Sequence, residues 1–294
     1  MTESIREENR ELLRRLSLYL NNMPRFVTAE LVCELVKECG FSEKEAYSML
    51  LAAAIGLEID KNPHDRALWS TYLPHILRPL DVDTYRADPY LRTIRIPERT
   101  LGAWRLGRAD YLPYEAFVCD DFRISENGRI YPQIGYFKRT YSYPVVYQNE
   151  REWMLITPNE IETMREPIAA SRGRVLTFGL GLGYFAFMAS RKKEVEQVTV
   201  VERDPDVIRL FRELILPQFR FREKLRVVCD DAFSFAENEM QKGSYDVVFT
   251  DLWHDVGDGL PLYRRMRSYE DRLPQSRFLY WIEKTMRCYE KEML

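Results

Sequence analysis

The chain has 294 residues, 46% hydrophobic and 30% charged, with 18 Tyr, 15 Phe and 5 Trp. That composition excludes a disordered polymer, and the length suits two folded units or one domain with a long N-terminal extension. A formal net charge of -3 excludes a chain-wide attraction to nucleic acid or anionic lipid, so neither partner is expected.

No apolar run approaches the ~20 residues of a membrane span, and Thr2 to Glu7 lack the basic-then-apolar order of a secretory signal. A cytoplasmic location is expected. Cys33, Cys39, Cys119, Cys229 and Cys288 never fall in Cys-x-x-Cys spacing, and the histidines are only His64, His75 and His254. Buried free thiols are expected, and no metal site.

The first element is an amphipathic helix over 5–20, with Ile5, Leu12, Leu13, Leu16 and Leu20 near the helical period. A second helix starts at the candidate cap Thr28 and stops at Gly40; a third runs from Ser42 to near Gly56. The pair has a helix-turn-helix outline, but the acidic start and apolar length of the third helix suit packing rather than groove reading. Pro63 to Pro113, rich in Pro, Arg and Asp, reads as irregular connections with at most short helices. Between 114 and 156 come short β-prone runs at 116–119, 130–137, 143–147 and 153–156, with Asn127-Gly128 as a turn and 148–150 as a second connection. These imply a small antiparallel sheet, followed by a short helix from near Asn159.

From Arg174 the pattern alternates: strand 175–178, helix 184–191, strand 197–201, helix 205–216, strand 225–228, helix 232–240, strand 245–250. Such alternation predicts right-handed β-α-β units and a Rossmann-like, mostly parallel sheet, giving an α/β class. The expected organisation is a helical region 1–110, a small antiparallel β-region 111–157, and a Rossmann-like cofactor domain 158–294. After Tyr263 the chain reads as helical from about Gln275 to its end, leaving further sheet strands missing or replaced; a sheet edge exposed in this way would suit a homodimer.

The chemistry concentrates at the ends of the parallel strands. Gly179, Leu180, Gly181, Leu182 and Gly183 lie between the first strand and its helix, where glycines permit a tight turn and close approach of a ligand. A purely structural turn also accounts for them. Glu202, followed by Arg203, ends the second strand about 20 residues on, where an acid binds ribose hydroxyls in this fold. Asp231, before Ala232, can take the amine of adenine or cap the next helix. Asp251 follows the fourth strand, and with His254 is a candidate base; His254 equally suits a capping or packing role. Trp253 and Tyr263 read first as core aromatics. Tyr184 stands where a dinucleotide fingerprint has Gly or Ala, which disfavours NAD.

Over residues 174–263 the sequence resembles the spermidine synthase family within the class I S-adenosylmethionine-dependent methyltransferases. The resemblance rests on the glycine loop, Val200-Val201-Glu202-Arg203-Asp204-Pro205, Asp231-Ala232-Phe233, Tyr245-Asp246-Val247-Val248, and then Asp251, Gly257, Leu262 and Tyr263. It implies a cofactor site made by Gly179, Leu180, Gly181, Gly183, Glu202, Arg203, Asp231, Ala232 and Asp251. The sequence departs from the family at His254 and Asp255, where the synthases have Asp-Pro, and at Leu182, where they have an Asp that helps hold cationic amines. An Asp there would repel the carboxylate of intact S-adenosylmethionine and Leu182 would not. Methyl transfer to a small-molecule acceptor is therefore expected, with aminopropyl transfer to a polyamine and a non-catalytic cofactor-binding scaffold as alternatives.

Overall fold

The computed structural model describes residues 1–149, 151–242 and 245–291. Internal contacts divide the chain into two compact units, one of residues 1–85 and 110–142, with Lys291, and one of residues 86–109 and 143–290.

The chain begins with α1 (Glu3–Asn22), α2 (Ala29–Cys39), α3 (Glu43–Ala54), α4 (Pro63–Ile76), β1 (Leu77–Leu80), α5 (Val82–Arg86) and α6 (Pro89–Thr93). Strands β2 (Arg99–Leu101), β3 (Trp104–Tyr111), β4 (Phe117–Ile124), β5 (Ile130–Phe137), β6 (Tyr141–Gln148) and β7 (Arg151–Leu155) follow. The helix starts are set by side chains that satisfy first-turn amides. Thr28 accepts from Leu31, Ser42 and Glu45 form a reciprocal capping box, and Gly40 ends α2 at φ +69°.

Helix α4 replaces the irregular stretch expected after Pro63. Asn62 caps it, Pro63 occupies the first turn where no N–H is needed, and Pro74 falls in the last turn. Leu12, Leu16, Tyr19, Tyr47, Leu51, Leu68 and Tyr72 fill the core of this first unit. Buried Asn9 satisfies both ends of its amide there: it donates to Gly128 O at 3.1 Å and accepts from Tyr72 Oη and Ile130 N.

The β-region is distributed between two sheets rather than one. β1 pairs parallel to β5, which pairs antiparallel to β4, while β2, β3, β6 and β7 form a separate four-stranded sheet. The Asn127-Gly128 turn does join β4 and β5, with Gly128 at φ +92°. Glu150, in the other expected connection, lies outside the described residues. The cysteine expectation holds for Cys119 and Cys288; Cys33, Cys39 and Cys229 are exposed, two on the solvent side of α2 and one at a strand end.

The second unit continues with α7 (Pro158–Thr163), α8 (Arg165–Ala170), β8 (Gly173–Phe178), α9 (Tyr184–Ser190), β9 (Val195–Glu202), α10 (Pro205–Leu210) and β10 (Leu225–Cys229). It ends with α11 (Ala232–Asn238), β11 (Val247–Thr250), α12 (Val256–Arg267), β12 (Arg277–Tyr280) and α13 (Glu283–Glu290). Five parallel strands lie in the order β10-β9-β8-β11-β12, the Rossmann-like sheet expected. The first strand of the series, β8, is central, and the direction of winding reverses beside it; open α/β sheets bind ligands at that switch point.

Strand β12 corrects the expectation that strands after Tyr263 are missing. The apolar spacing of residues 277–280 runs on into Trp281 and by itself suits a helix, but parallel pairing with β11 fixes these residues as strand. The helix begins only at Glu283, and its expected run to Leu294 includes residues outside those described. Among the described residues no helix is long and apolar enough to cross a membrane.

Candidate active site

The register of the sheet brings the candidate residues to one edge. Phe178 sits opposite Val201 on one side and Thr250 on the other, and Glu202 sits opposite Cys229. The residues that leave the sheet next are therefore Gly179, Asp251 and Asp230-Asp231, beside Glu202 at the carboxyl end of β9. Backbone bonds lock this edge: Gly179 N donates to Val201 O, Asp251 N to Phe178 O and Asp230 N to Glu202 O.

The three glycines of the loop do different work. Gly179 has φ +96°, and a Cβ there would lie 2.0 Å from the carbonyl oxygen of Asp251, so close approach of two backbone segments demands glycine. At Gly183 a Cβ would meet the Phe211 ring at 2.5 Å. Both are explained by packing. Gly181, at φ +50°, has nothing within 4 Å of the place a Cβ would take, and its N–H, like that of Leu182, donates to no protein acceptor among the described residues. Open space and two unused donors at one turn suit a ligand with acceptor oxygens.

Glu202 is tied to that turn. Its Oε2 accepts from Leu180 N at 3.2 Å and its Oε1 from Asp204 N at 2.9 Å. A carboxylate offers about four acceptor positions, so both oxygens retain capacity for ribose hydroxyls after these bonds. Arg203 is exposed, Leu180 and Ala232 are buried. Asp231 caps α11 through Oδ1 alone, accepting from Phe233 N and Ser234 N at 3.0 Å each. Its Oδ2 has no partner among the described residues, so capping and ligand binding are compatible in one side chain.

Beyond the loop, Asp251 has a partner that the sequence did not disclose. Glu160 in α7 couples electrostatically to it, and each carboxyl group is enclosed by protein although part of each residue touches solvent. Burial pushes the Asp251 carboxyl up to about 7, while burial and then the Asp251 charge hold Glu160 well above the usual carboxylate range. The two titrate as a coupled pair, both shifted upward. Buried polar atoms without partners flank both in sequence: Asn159 Oδ1, Thr250 Oγ1 and Trp253 Nε1. Glu160 lies 91 positions before Asp251 in an ordinary helix, so no local motif could have paired them.

His254 is placed differently. Its ring stacks on Trp153 at 6.0 Å between centroids, its backbone N–H donates to the Asp258 carboxylate, and its imidazole has no hydrogen-bond partner among the described residues. Asp255 caps α12 in a reciprocal box with Asp258. Trp253 and Tyr263 are buried and meet edge to face, as core aromatics do. Among the described residues no group of three His, Cys, Asp or Glu could hold a metal ion.

Residues 167–272 match the spermine/spermidine synthase domain. The spermidine-synthase-like resemblance read over 174–263 is borne out, on a span a little over a third of the chain. No curated protein sequence matches. Among solved structures, a proposed O-methyltransferase from Klebsiella pneumoniae overlaps with TM-score 0.27 and 20% identity, over 35% of this chain and 46% of that one. Precorrin 8W decarboxylase from Methanobacterium thermoautotrophicum overlaps with TM-score 0.33 and 16% identity, over 42% and 66% respectively. The chain thus spans about half to two thirds of those proteins, and overlaps this loose carry nothing about their activities.

Proposed function

We propose that the chain is an S-adenosylmethionine-dependent transferase that moves a methyl group to a small-molecule acceptor. One observation carries the cofactor assignment: the open turn at Gly181 lies at the switch point of the sheet, with the Glu202 and Asp231 carboxylates ending the next two strands. Glu202 would hold the ribose hydroxyls, Asp231 Oδ2 the amine of adenine, and the unused N–H groups of Gly181 and Leu182 the amino-acid end. When bound, S-adenosylmethionine supplies an electrophilic methyl group on a sulfonium sulfur.

The remaining work falls to the chain: excluding water, aligning the acceptor and receiving its proton. Asp251 adjoins Gly179 through its backbone, and its raised proton affinity suits a general base near neutral pH, worth roughly 100-fold or more. Glu160 is coupled to Asp251, so a proton taken from the acceptor would belong to the pair. His254, held against Trp153, is the less suited base.

Leu182 favours the intact cofactor, because this buried apolar side chain stands where the resembling synthases carry an Asp. The buried carboxyl pair Glu160–Asp251 favours a second reading, aminopropyl transfer to an amine from the decarboxylated cofactor, since two acids suit a cationic acceptor. Titration calorimetry with S-adenosylmethionine, its decarboxylated form and NAD separates these outcomes. Preference for the first supports methyl transfer, preference for the second overturns it in favour of aminopropyl transfer, and binding of NAD alone defeats both.

A further inference from the structure

Residues 86–95 form a short strap over the glycine loop, and its anchoring is specific. The Tyr90 hydroxyl donates to Leu182 O at 2.5 Å, and the ring packs against Tyr184 and edge-on to Phe187. Tyr184 in turn donates to Asp88 Oδ2 at 3.0 Å, which accounts for the bulky residue after the last glycine. At the other end, the Gln218 amide accepts from Arg95 N and donates to Arg95 O. Tyr90 is fully buried, and burial keeps its hydroxyl protonated and therefore a donor.

The bond to Leu182 O reaches further than one carbonyl. In a trans peptide the C=O and the following N–H point in opposite directions, and the described chain has no cis peptide. Tyr90 thus holds the Leu182–Gly183 plane from its carbonyl side, while Gly183 N donates from the other side to Leu180 O at 2.8 Å. With Leu180 O drawn into the turn, the N–H of the same peptide, that of Gly181, faces outward. Each bond in this series polarises the next in the same sense, making the Gly181 N–H a stronger donor.

We propose that Tyr90 is a positioning residue, whose hydroxyl fixes two peptide planes of the glycine turn and presents the Gly181 N–H to an oxygen of the ligand. Resting on the cofactor assignment above, that oxygen belongs to the carboxylate of the amino-acid end. The effect of Tyr90 is then selective for ligands carrying that group.

Tyr90→Phe removes only the hydroxyl. Calorimetry on wild type and variant with S-adenosylhomocysteine, which keeps the amino-acid end, and 5′-methylthioadenosine, which lacks it, reads the selectivity. Affinity for the first falls about 10-fold and for the second less than about 2-fold, as expected for loss of one buried hydrogen bond acting on one ligand group. Equal losses for both ligands, or no loss for either, overturn the proposal. Hydrogen exchange in the ligand-free protein provides a test that does not depend on the cofactor: the Gly183 amide exchanges about 10-fold faster in the variant. Unchanged exchange overturns the clamp, whereas faster exchange in a protein whose wild type binds neither nucleoside upholds the clamp and defeats the cofactor assignment.

Discussion

Replacing Gly181 or Gly179 with Ala separates a glycine kept for a ligand from one kept for the fold. At Gly181 the backbone φ of +50° costs an L-residue about 1–2 kcal/mol, and the new methyl meets nothing within 4 Å. For a unit of this size that lowers Tm by roughly 2–8 °C and leaves a folded protein. The methyl would stand in the space assigned to the cofactor, so affinity for S-adenosylhomocysteine falls about 10-fold or more, as overpacking costs imply. At Gly179 the methyl would meet the Asp251 carbonyl oxygen at 2.0 Å on a φ of +96°. Strain and overpacking there sum to about 3 kcal/mol or more, because backbone and not a side-chain tip must move. Thermal melts and calorimetry on both variants are the assay. A Gly181→Ala protein that binds like wild type, or a Gly179→Ala protein that melts no lower than Gly181→Ala, refutes the reasoning.

Two further substitutions test single side chains. Asp231→Asn keeps an oxygen for the α11 cap but turns the other position from acceptor to donor, so Tm stays within about 2 °C while adenosyl affinity drops about 10-fold; equal affinity would leave Asp231 a cap and nothing more. Asp251 is tested by pH. Because its carboxyl titrates at about 7 when folded against 3.8 ordinarily, the folded chain holds the proton more tightly, and stability declines as pH rises between those values. Asp251→Asn removes the Asp251 share of that decline, while Glu160, raised by its own burial, keeps a share of the same sign. The variant is expected to match wild type near pH 4 and exceed it at pH 8 by a few kcal/mol, since each tenfold gain in proton affinity on folding is worth roughly 1.4 kcal/mol. A stability difference that does not change with pH would contradict the burial of this carboxyl. Turnover should rise with pH through about 7 as the base form develops.

Local chemistry was legible in the chain where it decides structure by itself. Thr28, Ser42 with Glu45, and Gly40 mark helix ends through bonds to their own neighbours, and the glycine loop and strand-end acids follow from β-α-β alternation. Pairings between distant segments were not legible. β1 joins β5 across more than 50 residues, β12 joins β11 on register rather than propensity, and Glu160 meets Asp251 only once α7 lies beside the sheet. Tyr90 belongs to the same class: a lone Tyr in a Pro-rich stretch gives no sign of the carbonyl it holds.

The structure of the protein with S-adenosylhomocysteine bound is the most direct test of the central claim. The ribose hydroxyls are predicted on Glu202, the adenine amine on Asp231 Oδ2, and the carboxylate at the Gly181 and Leu182 amides. A ligand seated elsewhere, or an adenosyl group that leaves Glu202 and Asp231 untouched, would contradict it.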